Sequence, residues 1–223
     1  MTMEDDKAGR YVLPGDFLGS GEYKSWANAI KIGDKFYATR VGVLEMGEDR
    51  IRVIPMSGPY IPKLGDVVIG KVIEVMPVAW TLDINSFFNA FLPAQHAFRS
   101  FDPERDELSN KFKLGDLILA SIAKVERGRD SMLSLDGEGL GKIEEGEVFR
   151  ISQVKVPRLI GKKGSMVQKI EELTGAQIFV GQNGIIVAKG PPESITKVKR
   201  AIEIVETMAH MSGLTDKMED LLR

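Results

Sequence analysis

The sequence of 223 residues contains no cysteine and only two histidines, His96 and His210. Without cysteine the chain can form no disulfide bond and offers no thiolate ligand to zinc. The two histidines lie far apart along the chain. We therefore expect neither a metal site nor a bound cofactor.

Long apolar runs are missing as well. No stretch approaches the roughly 20 consecutive apolar residues that a membrane-spanning helix needs, and residues 1–10 are charged, without the apolar centre of a secretory signal. This predicts a cytoplasmic protein that makes no membrane contact. With 43% hydrophobic residues the chain can still form one large domain or two to three small ones.

Positive charge is not in excess overall, because 30 Lys and Arg face 32 Asp and Glu. The distribution along the chain is nevertheless uneven. Basic against acidic residues number 8 and 9 in 1–61, 10 and 14 in 62–146, 10 and 6 in 147–210, and 2 and 3 in 211–223. Only the third segment, at +4, is basic, as expected for a local phosphate-binding surface.

The first 140 residues alternate short apolar runs with Gly-Asp turns, which predicts many short strands. These turns are Gly15-Asp16, Gly33-Asp34, Gly65-Asp66 and Gly115-Asp116. The last two belong to a shared phrase, Lys-Leu-Gly-Asp, at 63–66 and 113–116. We interpret them as similar turns that lead into two strands of one barrel, because a third copy is absent.

We predict domain boundaries near Pro59 and Pro62 and at the Gly-rich stretch 137–146, because proline and glycine interrupt regular secondary structure. The resulting fold class is a multidomain chain, β-rich followed by α+β. Its predicted parts are an N-terminal β domain (1–61), a barrel (62–136), a linker (137–146), an α+β domain (147–210) and a tail (211–223). The N-terminal domain either contacts protein or supports the next domain. The tail is either an interface helix or a frayed end.

After Gly146 the periodicity changes from strands to alternating helices and strands. The pattern predicts a strand over 148–154, a helix over 165–174, a hairpin formed by 176–180 and 185–188, and a final amphipathic helix. The apolar positions of that last helix recur at spacings of three and four, which predicts a core-facing stripe. They are Ile195, Val198, Ile202, Val205 and Met208.

Two Gly-x-x-Gly patterns occur in this domain. The pattern at 181–184 lies between two strand-like runs and contains Asn-Gly, so a hairpin turn explains it. The pattern at 161–164 follows Leu159-Ile160, precedes a helix for which Ser165 is a plausible N-cap, and carries two lysines. Glycines permit close approach to a sugar-phosphate backbone, and a helix N-terminus together with lysines favours phosphate. A helix-turn-helix connector with ordinary surface lysines is the alternative.

The element order over 148–210 resembles the type I KH fold, which clamps about four nucleotides of single-stranded RNA. The resemblance implies that Ile160, Gly161, Lys162, Lys163 and Gly164 line the nucleotide groove. It also implies that Arg158 contributes to this groove and that Ile178 lies on its strand side.

Residues 62–136 resemble an S1-type OB fold, a barrel that binds single strands by stacking bases on aromatic side chains. Period-2 alternation directs about half of the aromatics into the barrel. Trp80 and His96 are the preferred contacts, because rings that carry both apolar and polar atoms suit a partly solvated surface. The candidate RNA contacts of the barrel are Trp80, Phe87, Phe88, Phe91, His96, Arg127 and Arg129.

An N-terminal β domain, an S1-like barrel and a KH domain in this order resemble the S1/KH cap subunits of the archaeal exosome. The phrases Tyr11-Val12-Leu13-Pro14-Gly15-Asp16 and Trp80-Thr81-Leu82-Asp83-Ile84 are similar to that family. The resemblance implies a non-catalytic RNA-binding subunit, three copies of which sit on a hexameric phosphorolytic ring. It further implies that the cap raises RNA affinity and directs adenine-rich single strands into the ring.

The sequence also bears on two other function classes. A nuclease needs clustered carboxylates for metal, but Asp102, Glu104, Asp106 and Glu107 share a polar loop with Pro103, the composition of a solvated connector. We therefore expect no enzyme activity. A translation- or ribosome-associated S1/KH factor remains the alternative, and such a factor would co-sediment with ribosomal subunits.

Overall fold

The computed structural model describes residues 9–56, 58–98, 102, 107–126, 128–208 and 218. The chain divides into two compact units, Met1–Gly58 and Pro59–Arg223. The first unit ends three residues before the predicted boundary at 61. Apart from Met218, the predicted tail 211–223 lies outside the described residues.

The first unit consists of short strands, as predicted for the N-terminal β domain. The strands are β1 (Tyr11–Val12), β2 (Phe17–Ser20), β3 (Ser25–Ala27), β4 (Ala29–Ile32), β5 (Lys35–Ala38), β6 (Gly42–Met46) and β7 (Arg50–Pro55). They form a four-stranded sheet in the order β1-β6-β7-β3 and a three-stranded sheet in the order β2-β5-β4. The core of the unit contains Leu18, Phe36, Leu44 and Ile51, all fully buried.

The second unit begins with a closed five-stranded barrel, which confirms the S1-type OB fold. Its elements are β8 (Val67–Val75), β9 (Ala79–Asp83), β10 (Ala90–Pro93), the short helix α1 (Leu108–Lys111), β11 (Leu117–Lys124) and β12 (Ser131–Ser134). The strands are ordered β12-β10-β9-β8-β11, and β12 closes the barrel by pairing with β11. The β10–β12 pair is parallel and the other pairs are antiparallel.

The two Lys-Leu-Gly-Asp turns lead directly into β8 and β11, and these strands pair with each other. The amides of Gly65 and Gly115 donate to the carbonyl oxygens of Ile122 and Val72, in both cases at 2.9 Å. Both glycines have a positive φ, +82° and +90°, which an L side chain rarely adopts. The repeated sequence therefore forms the same turn twice. Each turn adds one hydrogen bond to the ladder between β8 and β11.

The stretch 137–146, predicted as a linker, contains a strand. This strand, β13 (Gly141–Ile143), pairs with β11 and thereby adds to the edge of the barrel sheet. Lys142 also forms an ion pair with Asp116 at 2.9 Å. The glycines that favoured a linker serve as turns on either side of a short paired segment.

Residues 147–208 form a three-stranded antiparallel sheet with three α-helices. The elements are β14 (Glu147–Arg150), α2 (Val156–Ile160), α3 (Ser165–Thr174), β15 (Gln177–Val180), β16 (Ile185–Lys189) and α4 (Pro192–Met208). The sheet order is β14-β16-β15. The succession β-α-α-β-β-α is that of the type I KH fold, which confirms the predicted domain, and the stripe predicted on the last helix packs into its core.

The first KH strand is shorter than predicted: it ends at Arg150, whereas the sequence pattern predicted a strand as far as residue 154. Just beyond it, the amide of Ser152 donates to the Glu206 carboxylate at 3.0 Å and not to a neighbouring strand. A short 3-10 turn, Gln153–Lys155, then leads into α2. A helix residue distant in sequence thus redirects the backbone after β14.

The turn between β15 and β16 attaches the KH domain to the barrel. Asn183 is fully buried, and its Nδ2 donates to the carbonyl oxygens of Ile69 and Ile84 at 2.8 and 2.9 Å. The neighbouring Gln182 exchanges two hydrogen bonds of 2.8 Å with the backbone of Val67. The Asn-Gly sequence makes a hairpin turn, as predicted, and its asparagine side chain also joins two domains.

Candidate nucleic-acid interface

The Gly-x-x-Gly loop lies between the C-terminus of α2 and the N-terminus of α3. Gly161 has φ of +73°, and a Cβ atom at this position would lie 2.7 Å from the backbone nitrogen of Met166. Gly164 has φ of +84°, with open space where its Cβ would be. The first glycine is therefore required by conformation and close packing, the second by conformation alone.

The two lysines between these glycines, Lys162 and Lys163, are exposed, and Lys163 adopts a left-handed conformation with φ of +55°. Helix α3 starts at Ser165, and Gly164 occupies the N-cap position, so the prediction that Ser165 is the N-cap is wrong. Within the described residues no side chain caps this helix end. The two exposed lysines directly precede the N-terminus of this ten-residue helix, an arrangement that favours an anionic ligand.

The apolar side of the predicted groove comes from the end of α2 and from strand β15. Ile160 and Ile178 are both half-buried and pack against the same core. Arg158 is exposed on α2, one turn before the loop. Ile160 thus directly precedes the basic loop, and Ile178 packs against the same domain core from strand β15.

One polar contact of strand β15 was not identified from the sequence. The carboxylate of Glu171, on α3, accepts a hydrogen bond of 2.7 Å from the backbone N–H of Ile178. An acidic residue on a helix is an ordinary surface feature in sequence, so no local pattern distinguishes Glu171 from its neighbour Glu172.

The structure contradicts the prediction that Trp80 contacts RNA. Its side chain is 0% exposed, and its Nε1 donates to the carbonyl oxygen of Phe112 at 3.1 Å. The ring also packs against Phe98 and Phe112, with centroid separations of 6.1 and 5.0 Å. Because the indole N–H already donates to a buried carbonyl oxygen, Trp80 can be fully buried without leaving its polar atom unpaired.

The segment around α1 explains this burial. The ammonium group of Lys111 lies 4.1 Å from the centroid of the Phe98 ring and donates to the backbone oxygen of Ala97. Partial burial lowers the pKa of this lysine. These contacts fold the segment against the aromatic cluster that contains Trp80, a consequence of tertiary structure that strand alternation alone does not predict.

Other predicted aromatics of the barrel do reach the surface. Phe87 and Phe88 lie in the loop between β9 and β10 and are 74% and 47% exposed, whereas Phe91 on β10 is half-buried. Phe88 and Phe91 line a surface cavity of about 580 Å³, which we call the barrel cavity. The residues that line it are Phe88, Phe91, Lys124, Glu126, Gly128, Arg129, Asp130 and Met132.

The charges around the barrel cavity are balanced. Glu126 lies 2.6 Å from Lys124 and 3.7 Å from Arg129. The hydrogen bond and charge of Lys124, with a smaller effect of Arg129, lower the pKa of the Glu126 carboxyl group. The cavity therefore offers aromatic surface for a base but little net attraction for phosphate. Arg127, also predicted as a contact, lies outside the described residues.

His96 is not among the residues that line the barrel cavity. It is half-buried, and its Nδ1 lies 3.6 Å from the Asp136 carboxylate. The Ser134 hydroxyl, together with His96, lowers the pKa of Asp136. The structure thus places His96 outside the cavity that Phe88 and Phe91 line.

In the described ranges, no helix is both long and apolar enough to cross a membrane. Nor do three or more His, Cys, Asp or Glu side chains come together there in a group that could hold a metal ion.

A closed S1-type barrel joined to a type I KH domain defines a class of proteins with two modules for single-stranded nucleic acid. Family models agree with each part of this architecture. Residues 10–57 match the exosome RNA binding protein RRP4 N-terminal domain, residues 59–124 match the RRP4 S1 domain, and residues 146–204 match the KH domain.

The exosome complex component Rrp4 of Nitrosopumilus maritimus (strain SCM1) is 46% identical over 215 residues, covering 96% of this chain and 95% of the relative. The Rrp4 component of Thermoplasma acidophilum is 39% identical over 220 residues, covering 96% and 90%. A crystal structure described as a candidate exosome complex RNA-binding protein is 38% identical with a TM-score of 0.66, covering 74% of this chain and 95% of its own.

The chain belongs to the Rrp4 family of exosome complex components. The family resemblance inferred from the sequence is therefore confirmed. This membership favours an exosome role over the ribosome-associated alternative.

Proposed function

We propose that this protein is a non-catalytic RNA-binding cap subunit of the archaeal exosome. It binds single-stranded, adenine-rich RNA and directs it into the hexameric ring that degrades RNA by phosphorolysis. Three copies bind one ring in the cytoplasm. Membership of the Rrp4 family supports the exosome assignment, and the two candidate surfaces support RNA as the ligand.

The observation that carries the proposal is the geometry of the KH loop. Gly161 and Gly164 hold the exposed Lys162 and Lys163 just before α3, directly after the half-buried Ile160. Ile178, on strand β15, packs against the same domain core as Ile160. Positive charge and helix amides suit phosphate, and the apolar surface suits bases. We assign RNA binding in the KH domain to these residues together with Arg158.

The barrel supplies a second, weaker surface in this proposal. Phe88 and Phe91 stack bases at the barrel cavity, and Arg129 lies at its rim. Trp80 is withdrawn from the proposed contacts because it is buried. Two modest sites on one chain, copied around a ring, gain affinity because the second contact forms at high effective concentration.

The N-terminal unit is the part we propose for contact with the ring. Large exposed apolar side chains are a feature of surfaces that bind other proteins. The unit carries several, among them Tyr11, Leu13, Trp26, Ile30 and Ile32.

The proposal is tested by titrating a fluorescent adenine-rich single-stranded RNA with the full chain, with and without a purified archaeal exosome ring. The test variant is Lys162→Asp/Lys163→Asp. The control Lys197→Asp/Lys199→Asp makes the same charge change at exposed positions of α4.

We expect the wild type and the control to bind RNA and to increase its capture by the ring, and the test variant to lose most of both effects. Unchanged affinity of a folded test variant would refute the KH assignment. RNA binding without any effect on the ring would refute the cap function but leave the RNA-binding surfaces in place.

A further inference from the structure

The barrel cavity combines two phenylalanines with charges of both signs. Among the described residues that line it, Lys124 and Arg129 are basic, and Glu126 and Asp130 are acidic. The aromatic rings suit the bases of a single strand, because stacking on such rings is largely independent of base sequence. The phosphates of the same strand meet a surface whose charges cancel. Stacking and phosphate binding are therefore separated at this site.

A β-bulge turns Lys124 toward the cavity. Ile122 of β11 pairs with Leu133 of β12, and both side chains are buried in the barrel. The next pair is Lys124 with Met132, so two residues of β11 oppose one residue of β12. Without the bulge, period-2 alternation would direct Lys124 to the same interior side as Ile122. The bulge moves it to the side of Met132, which also lines the cavity.

Glu126 contacts both cations of the cavity. Its Oε1 lies 2.6 Å from the Lys124 ammonium group, and its Oε2 lies 3.7 Å from the Arg129 guanidinium group. The side chains of Lys124, Glu126 and Arg129 are 61%, 42% and 79% exposed, so the ion pairs contribute little to stability. Their consequence is electrostatic, because one carboxylate beside two cations reduces the attraction that both exert on a phosphate.

We propose that Glu126 adapts the barrel cavity to the passage of RNA and not to its retention. By neutralising Lys124 and Arg129, it lets bases stack on Phe88 and Phe91 while the phosphates remain unbound. Because the cap directs RNA into the ring, the strand must move over the cap as the ring shortens it. A phosphate bound at the cavity would have to be released at every such step. This inference rests on the proposed function and deepens it, because it assigns retention to the Gly-x-x-Gly loop and passage to the barrel.

Glu126→Gln tests this role, because it removes the negative charge and keeps the size of the side chain. The cavity gains one positive charge, which provides for about one additional phosphate contact. We therefore expect the slope of log affinity against log salt concentration to steepen by about 0.7, and RNA affinity at about 0.1 M salt to increase about fivefold. Titration of a fluorescent single-stranded RNA with the full chain measures both quantities.

Glu138→Gln is the matched control. It removes the same charge from an exposed residue that does not line the cavity, so it should change neither the affinity nor the slope. Both variants alter exposed side chains and should fold as the wild type does. Urea denaturation checks this.

A second measurement separates passage from binding. In the presence of the ring, with RNA and inorganic phosphate at saturating concentrations, capture of RNA no longer limits the rate of degradation. Glu126→Gln should then slow the degradation of a long RNA by about two- to fivefold, because each step must break the added phosphate contact. Lys124→Gln/Glu126→Gln leaves Arg129 and Asp130 as a balanced pair of charges at the cavity. This double variant should restore the affinity and the rate of the wild type.

The outcomes distinguish this inference from the proposed function. Unchanged affinity and salt slope in Glu126→Gln would overturn the role of Glu126 and leave the KH assignment in place. Tighter binding without slower degradation would also overturn it, because a bound phosphate would then not hinder the movement of the strand. If the wild type neither binds RNA nor affects the ring, the proposed function fails, and the role of Glu126 fails with it.

Discussion

Trp80 and Phe88 are large aromatic residues of the same barrel, but their surroundings give them different roles. The indole of Trp80 is enclosed and hydrogen-bonded to a backbone carbonyl, whereas the ring of Phe88 lies half-exposed beside the barrel cavity. The first arrangement stabilises the fold, and the second leaves a π-face accessible to a base. Mutation should therefore separate stability from RNA binding at these two positions.

We expect Trp80→Phe to lower the free energy of unfolding by about 1–3 kcal/mol, because it leaves the Phe112 carbonyl without its donor and leaves a small void. RNA affinity of the folded variant should not change. Phe88→Ala should weaken RNA binding by about 1–3 kcal/mol through lost stacking, with little effect on stability. Urea denaturation and RNA titration measure the two quantities. Weaker RNA binding by a fully folded Trp80→Phe variant would restore Trp80 to the interface.

The residues that were predicted well are those whose surroundings are local in sequence. The loop 161–164 and the helix that follows it are contiguous, so the exposure of Lys162 and Lys163 follows from the pattern itself. Trp80 was assigned wrongly because its partners, Phe98 and Phe112, approach only when the segment around α1 folds against the barrel. Glu171 and Ile178 are seven positions apart, and the turn between α3 and β15 brings them together.

Among the elements, the hairpin turn between β15 and β16 has the largest influence on the arrangement of the two RNA-binding modules. Its Asn183 donates two hydrogen bonds into the barrel and accepts a third, of 3.3 Å, from the amide of Ile69. An apolar interface accompanies them, in which Ile69 of the barrel packs with Ile185 and Val187 of the KH sheet. The KH groove is thereby held in a defined position relative to the barrel.

Asn183→Ala should lower the free energy of unfolding by roughly 3 kcal/mol, because it leaves three buried backbone groups without partners at about 1 kcal/mol or more each. Gln182→Ala is the matched comparison. It removes a single bond at an exposed residue, and it should cost only about 1 kcal/mol. Denaturation of both variants by urea measures the difference. Equal losses would mean that the side chain of Asn183 is not what joins the domains.

The bounds of the elements show where local sequence is sufficient. Helix α3 spans 165–174 as predicted, because its loop and its C-terminal Gly175, with φ of +70°, mark both ends in sequence. Strand β14 ends early because Glu206, more than 50 residues away, takes the amide of Ser152. Likewise, the docking of Asn183 onto Ile69 spans 114 positions, so the Asn-Gly pattern predicts the turn and not its partner.

On the scale of the whole molecule, charge is distributed so that one domain carries the attraction for phosphate. The chain has a net charge of −2, and at the barrel cavity Lys124 and Arg129 are balanced by Glu126 and Asp130. The Gly-x-x-Gly loop of the KH domain, in contrast, carries two exposed lysines and no acidic residue. The KH domain should therefore account for most of the salt dependence of RNA binding, and the barrel should contribute mainly by stacking.

This division of roles is measurable as a slope. For single-stranded RNA, the logarithm of affinity falls by about 0.7 for each unit increase in the logarithm of salt concentration, per phosphate neutralised. Lys162→Gln/Lys163→Gln should reduce the slope by about 1.4, the share of two phosphates. Lys197→Gln/Lys199→Gln, which removes the same charge from α4, should leave it nearly unchanged. If both variants reduce the slope equally, RNA is attracted by the general charge of the KH domain and not by a clamp at its loop.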